Sequence, residues 1–404
     1  KFNFLTLFGI SLNKLKFAAQ KNHAHFYTSF MKNILNLAFI FTITLFTFSC
    51  KDKEDTKPVL QVPTVYESPN YTLNTLQEAA LRKSLQDLTA YLKTGENISN
   101  KLDLITAESY FIQGNPSLES ITAPYYSNLL RTRWLPDIVA ASGNTYDVTQ
   151  GASNPTGGIQ GTRLLDQGGK EVLQEIEKGL FSAAFFNQIV ALGNGNLSPG
   201  IVDRMLALYG AHPTFPNTNT ASKTNYPDYG IALYAARRDK NDGQGIYTQI
   251  KSTFLKLKAA VEAGEKYQDE QKQAFNELCL LMERALMATV INYSHSAIEK
   301  FTKTNPTAVD LGNALHDVSE NVGFVHGLKG VPQANRKITD AQIHNLLALF
   351  NAPHNAPATM YLFYNNPTEI AKLSTAINTI KDLYGFTPAE VNDFRRNWIV
   401  DQGR

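Results

Sequence analysis

YQDEQKQAFNELCLLMERALMATVINYSHSAIEKF, residues 267–301, is the stretch that decides the fold. At about 100° per residue, Phe275, Leu278, Cys279, Met282, Leu286, Thr289 and Tyr293 fall on one side of a helix. Leu280, Leu281, Ala288, Ile291 and Ile298 fall on the other. A helix apolar nearly all round is a central one, surrounded by others. His295 and Glu299 share the second side, one turn apart, with Arg284, whose burial would call for a carboxylate partner.

Outward from this stretch the apolar spacing stays helical. LNTLQEAALRKSLQDLTAYL (73–92) predicts one helix, and 118–141, 169–192, 246–264 and 306–329 predict more. Residues 341–353, 367–386 and 388–400 close the chain, the last opening at Thr387-Pro388 with proline in the first helical position. Two segments break the pattern. Residues 141–169 are rich in Gly, Asn and Thr, and 210–230 carry three prolines, His212 and two tyrosines. Both read as long loops, of the kind that carry function or merely cross the surface. No segment sustains the two-residue alternation of a strand, so residues 71–404 are expected to be all-α, a helical bundle with ample length for its own core.

ALHDVSENVGFVHGLKG (314–330) is the chemically suggestive part. Leu311, Leu315, Val318, Val322 and Val325 make an apolar stripe, while Gly312, His316, Glu320, Gly323, Phe324 and Gly327 lie opposite. Each glycine costs a helix interior about 0.5–1 kcal/mol relative to alanine. Three on one face, with Ser319, predict a shallow groove open to a backbone or a ligand. His316 and Glu320, at i and i+4, could coordinate a metal, bond each other or hold a polar ligand. On antiparallel neighbours, His295 and Glu299 could face them and complete a metal site of the bundle type. The spacing is His-x-x-x-Glu twice, unlike the Glu-x-x-His of di-iron bundles, and no His-Glu-x-x-His occurs. The purely structural alternative pairs Glu320 with a buried arginine.

The other end of the chain concerns location. Met31 opens a basic MKN, then ILNLAFIFTITLFTF, then Ser49-Cys50. Fifteen apolar residues fall short of the roughly 20 a membrane span needs and suit a signal peptide over 31–49. Residues 1–30 then read as upstream sequence. A hydrophobic run ending at cysteine and passing into KDKEDTKP resembles a bacterial lipoprotein, with Cys50 the lipidated residue and 50–70 a tether. The five lysines before Cys50 account for the positive balance; after them 33 basic residues face 36 acidic ones. That balance, without a clustered basic stripe, excludes nucleic acid as a partner. With Cys50 lipidated, Cys279 has no disulfide partner and reads as a small buried hydrophobe.

TRLLDQGGKEVLQEIEKGLFSAAFFNQI (162–189) and LHDVSENVGFVHGLK (315–329) resemble the two signatures of the imelysin-like lipoproteins of Bacteroidetes. His316, Ser319, Glu320, Gly323 and Phe324 match the second signature; Asp317 and Val318 depart from it. The resemblance covers most of residues 70–350. It implies two packed helical bundles, export to the outer membrane and a link to uptake of iron or another nutrient. Imelysins proper carry Gly-x-His-x-x-Glu; here His326 stands one position late after Gly323, and Lys329 replaces the glutamate. The expectation is therefore a lipid-anchored envelope protein holding a divalent metal ion, such as iron, or a small nutrient in the glycine groove. Its alternatives are a metal-dependent hydrolase using the same residues, and a non-catalytic subunit contacting outer-membrane uptake proteins through 141–169 and 210–230.

Overall fold

Apolar residues at helical spacing build α1 (Leu76–Lys93), α2 (Leu104–Ile112), α3 (Leu135–Ala141), α4 (Val172–Leu180) and α5 (Asn187–Gly193). After them come α6 (Pro199–Tyr209), α7 (Gly230–Arg238), α8 (Ile246–Glu262), α9 (Gln268–Phe301), α10 (Ala308–Leu328), α11 (Asp340–Leu349) and α12 (Pro367–Tyr384). These come from a computed structural model that describes residues 57–404 apart from Asn154. The signal-like segment and Cys50 lie outside the described residues. Contacts divide the chain into Lys1–Val59 and Leu60–Arg404, and the body described below is the second.

α9 is the axis the sequence predicts. It runs 34 residues, buried on nearly every side over 281–291 while its first turns, Leu280 included, keep an exposed face, and α7, α8, α10 and α12 pack on it. α9 and α10 are antiparallel: Asn321 Nδ2 donates to Ser294 Oγ at 3.0 Å, and Lys300 pairs with Asp317 one turn further along. α10 starts from a capping box in which Thr307 and Asp310 satisfy each other's free N–H groups. One continuous core includes Tyr126, Trp134, Tyr209, Phe254 and Phe324, so the two bundles implied by resemblance would share it. No described helix is long and apolar enough to cross a membrane.

The structure differs from the sequence reading in several stretches: α2 and α6 have no expected counterpart, and the helix expected over 388–400 stops at Asp393 and resumes only at Trp398. The helix expected over 118–141 is broken at Ala123-Pro124 and again by a π-turn at Leu130–Trp134, just before Pro136, whose ring cannot follow an unbroken helix. Residues 141–169 contain a small antiparallel hairpin, β1 (Gly158–Gln160) with β2 (Arg163–Leu165), Gly158 opposite Leu165. It clamps the start of α10: Gln160 Nε2 donates to the Ala308 carbonyl at 3.2 Å and Arg163 Nε to Asn313 at 3.1 Å. The expected tether is fixed to the body from Tyr66 onward. That buried ring donates to Asp203 at 2.8 Å and lies under the Lys258 ammonium, 4.2 Å from its centroid.

Candidate functional site

The glycine face of α10 is no open groove. A Cβ on Gly323 would stand 2.5 Å from the Gln174 carbonyl oxygen, and one on Gly327 would collide with the Gly179 backbone. Gly312 is closed in the same way by the Gln160 carbonyl of β1. The missing side chains let α4 approach backbone to backbone, so the notch is filled by the protein itself. Phe324 is a core ring, 4.8 Å from Tyr234 and edge-on to it. Ser319 Oγ donates to Leu315 and accepts the Glu171 N–H at 2.8 Å, satisfying the first turn of α4.

Along this contact runs a ladder of buried charges. His316 Nδ1 bonds Glu171 Oε2 at 2.7 Å, and Nε2 faces Glu320 Oε1 at 3.4 Å. Glu320 also faces Lys178 at 3.6 Å, and Lys178 pairs with Glu177 at 2.7 Å. Gln174 donates to Glu171 at 2.7 Å, and Arg163 stands 3.8 Å away. Burial opposes the imidazolium, but the charge and hydrogen bond of Glu171, then Glu320, outweigh it and hold His316 up at about 9. Burial would likewise raise Glu320; the Lys178 charge and the His316 bond bring it to about 2. With carboxylates on both ring nitrogens, the part-buried His316 is held as a cation at neutral pH. It has no free lone pair for a general base or a metal.

A second group lies one turn on. Glu175 pairs with Lys170 and receives His326 Nδ1 at 2.7 Å; His326 Nε2 stands 3.0 Å from His354 Nδ1. The half-exposed His354 stacks on His344 at 4.4 Å. Burial would raise Glu175, but the Lys170 charge and the His326 bond outweigh it and hold its carboxyl at about 2. His326 is the buried middle of a line from Glu175 to the half-exposed His354. Glu171, Glu175 and Lys178, at i, i+4 and i+7 in KEVLQEIEK, were the available sign: a polar stripe that the sequence offers as a solvent face and the fold turns inward.

His295 and Glu299 do not join His316 and Glu320. Ser294 and Lys300 bond to Asn321 and Asp317 of α10, whereas His295 makes no bond to α10. Its Nε2 has no hydrogen-bond partner, burial and then the Arg395 charge lower its pKa, and Glu299 is exposed. Arg284 finds its partners in the Tyr384 carbonyl at 2.6 Å and Glu390 at 3.6 Å. Among the described residues no group of three or more His, Cys, Asp or Glu side chains is placed to hold a metal ion. His316 shows why: its two carboxylates sit at opposite nitrogens and cannot share an ion. Cys279 is free and buried, and burial pushes its thiol up to about 12.

Open volume lies elsewhere. α1, α6 and the 210–230 segment enclose a cleft of about 250 Å³, slightly below the roughly 300–1,000 Å³ usual for small-molecule sites. His212 and Tyr226 stack flat on its rim, centroids 3.7 Å apart, and Tyr71 meets His212 edge-on at 5.6 Å. Glu78 and Arg82, one turn apart on α1, form its charged wall.

The ladder makes a pH prediction. His316 is raised from 6.5 to about 9, so its stabilisation is complete below pH 6.5 and disappears as pH rises through 9. The difference corresponds to about 3 kcal/mol. Melting temperature should therefore fall from pH 6.5 to 9 in the native chain and much less in His316→Gln. Equal slopes in both would show that the imidazolium is not the group responsible.

Comparison with protein-family models, with curated proteins and with solved structures finds no match to this chain.

Proposed function

We propose that this protein is a lipid-anchored cell-envelope protein of the imelysin-like kind, a binding protein that holds a small polar nutrient in the cleft beside the 210–230 segment. The observation that carries the reading is the contrast between the two places where charged groups meet. The His316 ladder is closed by backbone and, Glu320 Oε2 and Gln174 Oε1 apart, paired within itself, which argues against its use on a substrate. The cleft is concave, aromatic-walled and carries charged groups with spare bonding capacity. Envelope attachment rests on the run from Met31 to Cys50 and the charged tract after it. Two measurements test the two halves. The whole chain should sediment with membranes and Cys50→Ser should be released from them. The detergent-solubilised chain should gain melting temperature from at least one class of amino acid, sugar, nucleoside or organic acid. Unchanged fractionation of Cys50→Ser removes the anchor, and no thermal response to any solute removes the binding role.

A further inference from the structure

The cleft has a chemical signature of its own. Arg82 is part-buried, and its guanidinium lies over the Tyr229 ring, 4.5 Å from the centroid, without an ion-pair partner among the described residues. The carboxylate that influences it, Asp228, is pushed up to about 7 by burial, so it offers a weakened counter-charge at neutral pH. Burial accordingly lowers the Arg82 pKa, the mark of a cation short of an anion. One turn away, Glu78 is 2 % exposed. Its Oε1 accepts from Arg204 Nε at 2.6 Å, while its Oε2 has no partner at all. A buried carboxylate oxygen left unbonded costs free energy that a donor from a ligand would recover.

We infer that the cleft binds a small zwitterion, a free α-amino acid with an aromatic or apolar side chain, its carboxylate on Arg82 and its ammonium on Glu78. Residues at i and i+4 of a helix stand about 5–6 Å apart at Cβ, and their long side chains can converge on the two adjacent charges of such a molecule. Tyr71 and the stacked His212–Tyr226 pair supply the wall on which its side chain packs. An arginine read as a planar two-point donor favours a carboxylate over a spherical anion. The two opposite charges on one wall disfavour ligands carrying only one.

This inference rests on the binding role proposed above, and its test separates the two. Calorimetry of the detergent-solubilised whole chain would compare L-phenylalanine with L-phenylalanine amide and N-acetyl-L-phenylalanine. Phenylalanine should bind, and each blocked form should bind at least about tenfold more weakly, as loss of one charge-assisted contact implies. Arg82→Gln should weaken phenylalanine by a similar factor. Because Glu78 also holds Arg204, its replacement risks the fold; Tyr226→Ala, at an exposed ring, should weaken binding several-fold with an unchanged melting temperature. Equal affinity for the amide, or an indifferent Arg82→Gln, overturns the assignment. If another solute binds while phenylalanine does not, the zwitterion is wrong and the binding role survives. If nothing binds, both fall.

Discussion

Gly327→Val should be among the most damaging single substitutions in this protein, with a loss of about 3 kcal/mol or more. The added Cβ would meet the Gly179 carbonyl, Cα and carbonyl carbon. Those are backbone atoms of α4, and no flexible side-chain end is available to swing aside. α4 and α10 would have to separate, and the His316–Glu171, Glu320–Lys178 and His326–Glu175 contacts span that seam. With an unfolding entropy of about 2.1 cal/mol/K per residue over a body of this size, 3 kcal/mol lowers the melting temperature by about 4 °C. Gly195→Ala is the control: its Cβ would find nothing nearer than 3.4 Å, so it should be close to neutral. A melting temperature for Gly327→Val equal to that of the control would mean that the helices do not approach as closely as the structure has them.

Glu175→Ala is the second large effect expected. It leaves the Lys170 ammonium, 4 % exposed, without its carboxylate, and removes the partner of His326 Nδ1. Breaking a buried ion pair from one side costs about 3–5 kcal/mol, because the remaining charge stays desolvated. That is about 4–7 °C here. The double change Lys170→Met with Glu175→Leu should recover most of the loss, since it removes the stranded charge and refills the volume. Glu175 also sets the acid limb of stability. Its pKa is depressed to about 2, so its contribution is present above 4.5 and is lost as pH falls through 2. A denaturant series at pH 7 and pH 3 checks both statements: the penalty of Glu175→Ala should shrink at the lower pH. A penalty of the same size at both would assign the loss to packing alone.

The two substitutions mark what could be read before folding was known. Residues 267–301 are apolar on every side, and that alone required a central helix with others around it. The periodicity of 73–92 and 246–264, and the Thr-Pro start at 387–388, fixed further elements, because helix formation is local and its signals sit within a few residues. Cys279 between two leucines was legible as a buried hydrophobe for the same reason. α2 and α6 carried local signals too, Asp103 and Ser198-Pro199 at their starts, but they are short and add little periodicity.

What only the tertiary structure decided is which face meets which. The glycines of α10 announced a close approach, yet a ligand and a neighbouring backbone make the same demand on the sequence. The contact with Gln174 and Gly179 lies some 150 positions away and leaves no local trace. Glu171, Glu175 and Lys178 carry no local sign of burial, since charge next to apolar residues normally marks the wet face of a helix. They are buried because α10 brings His316, Glu320 and His326 to them, and each charge is tolerable only with its partner present. The cleft is non-local in the same way: Glu78 and Arg82 are one turn apart in sequence, but their aromatic wall comes from residues 212 and 226. Sequence determined the helices, because that physics is short-ranged; pairing of buried charge and the shape of open space depend on distant segments meeting, and the fold alone settles them.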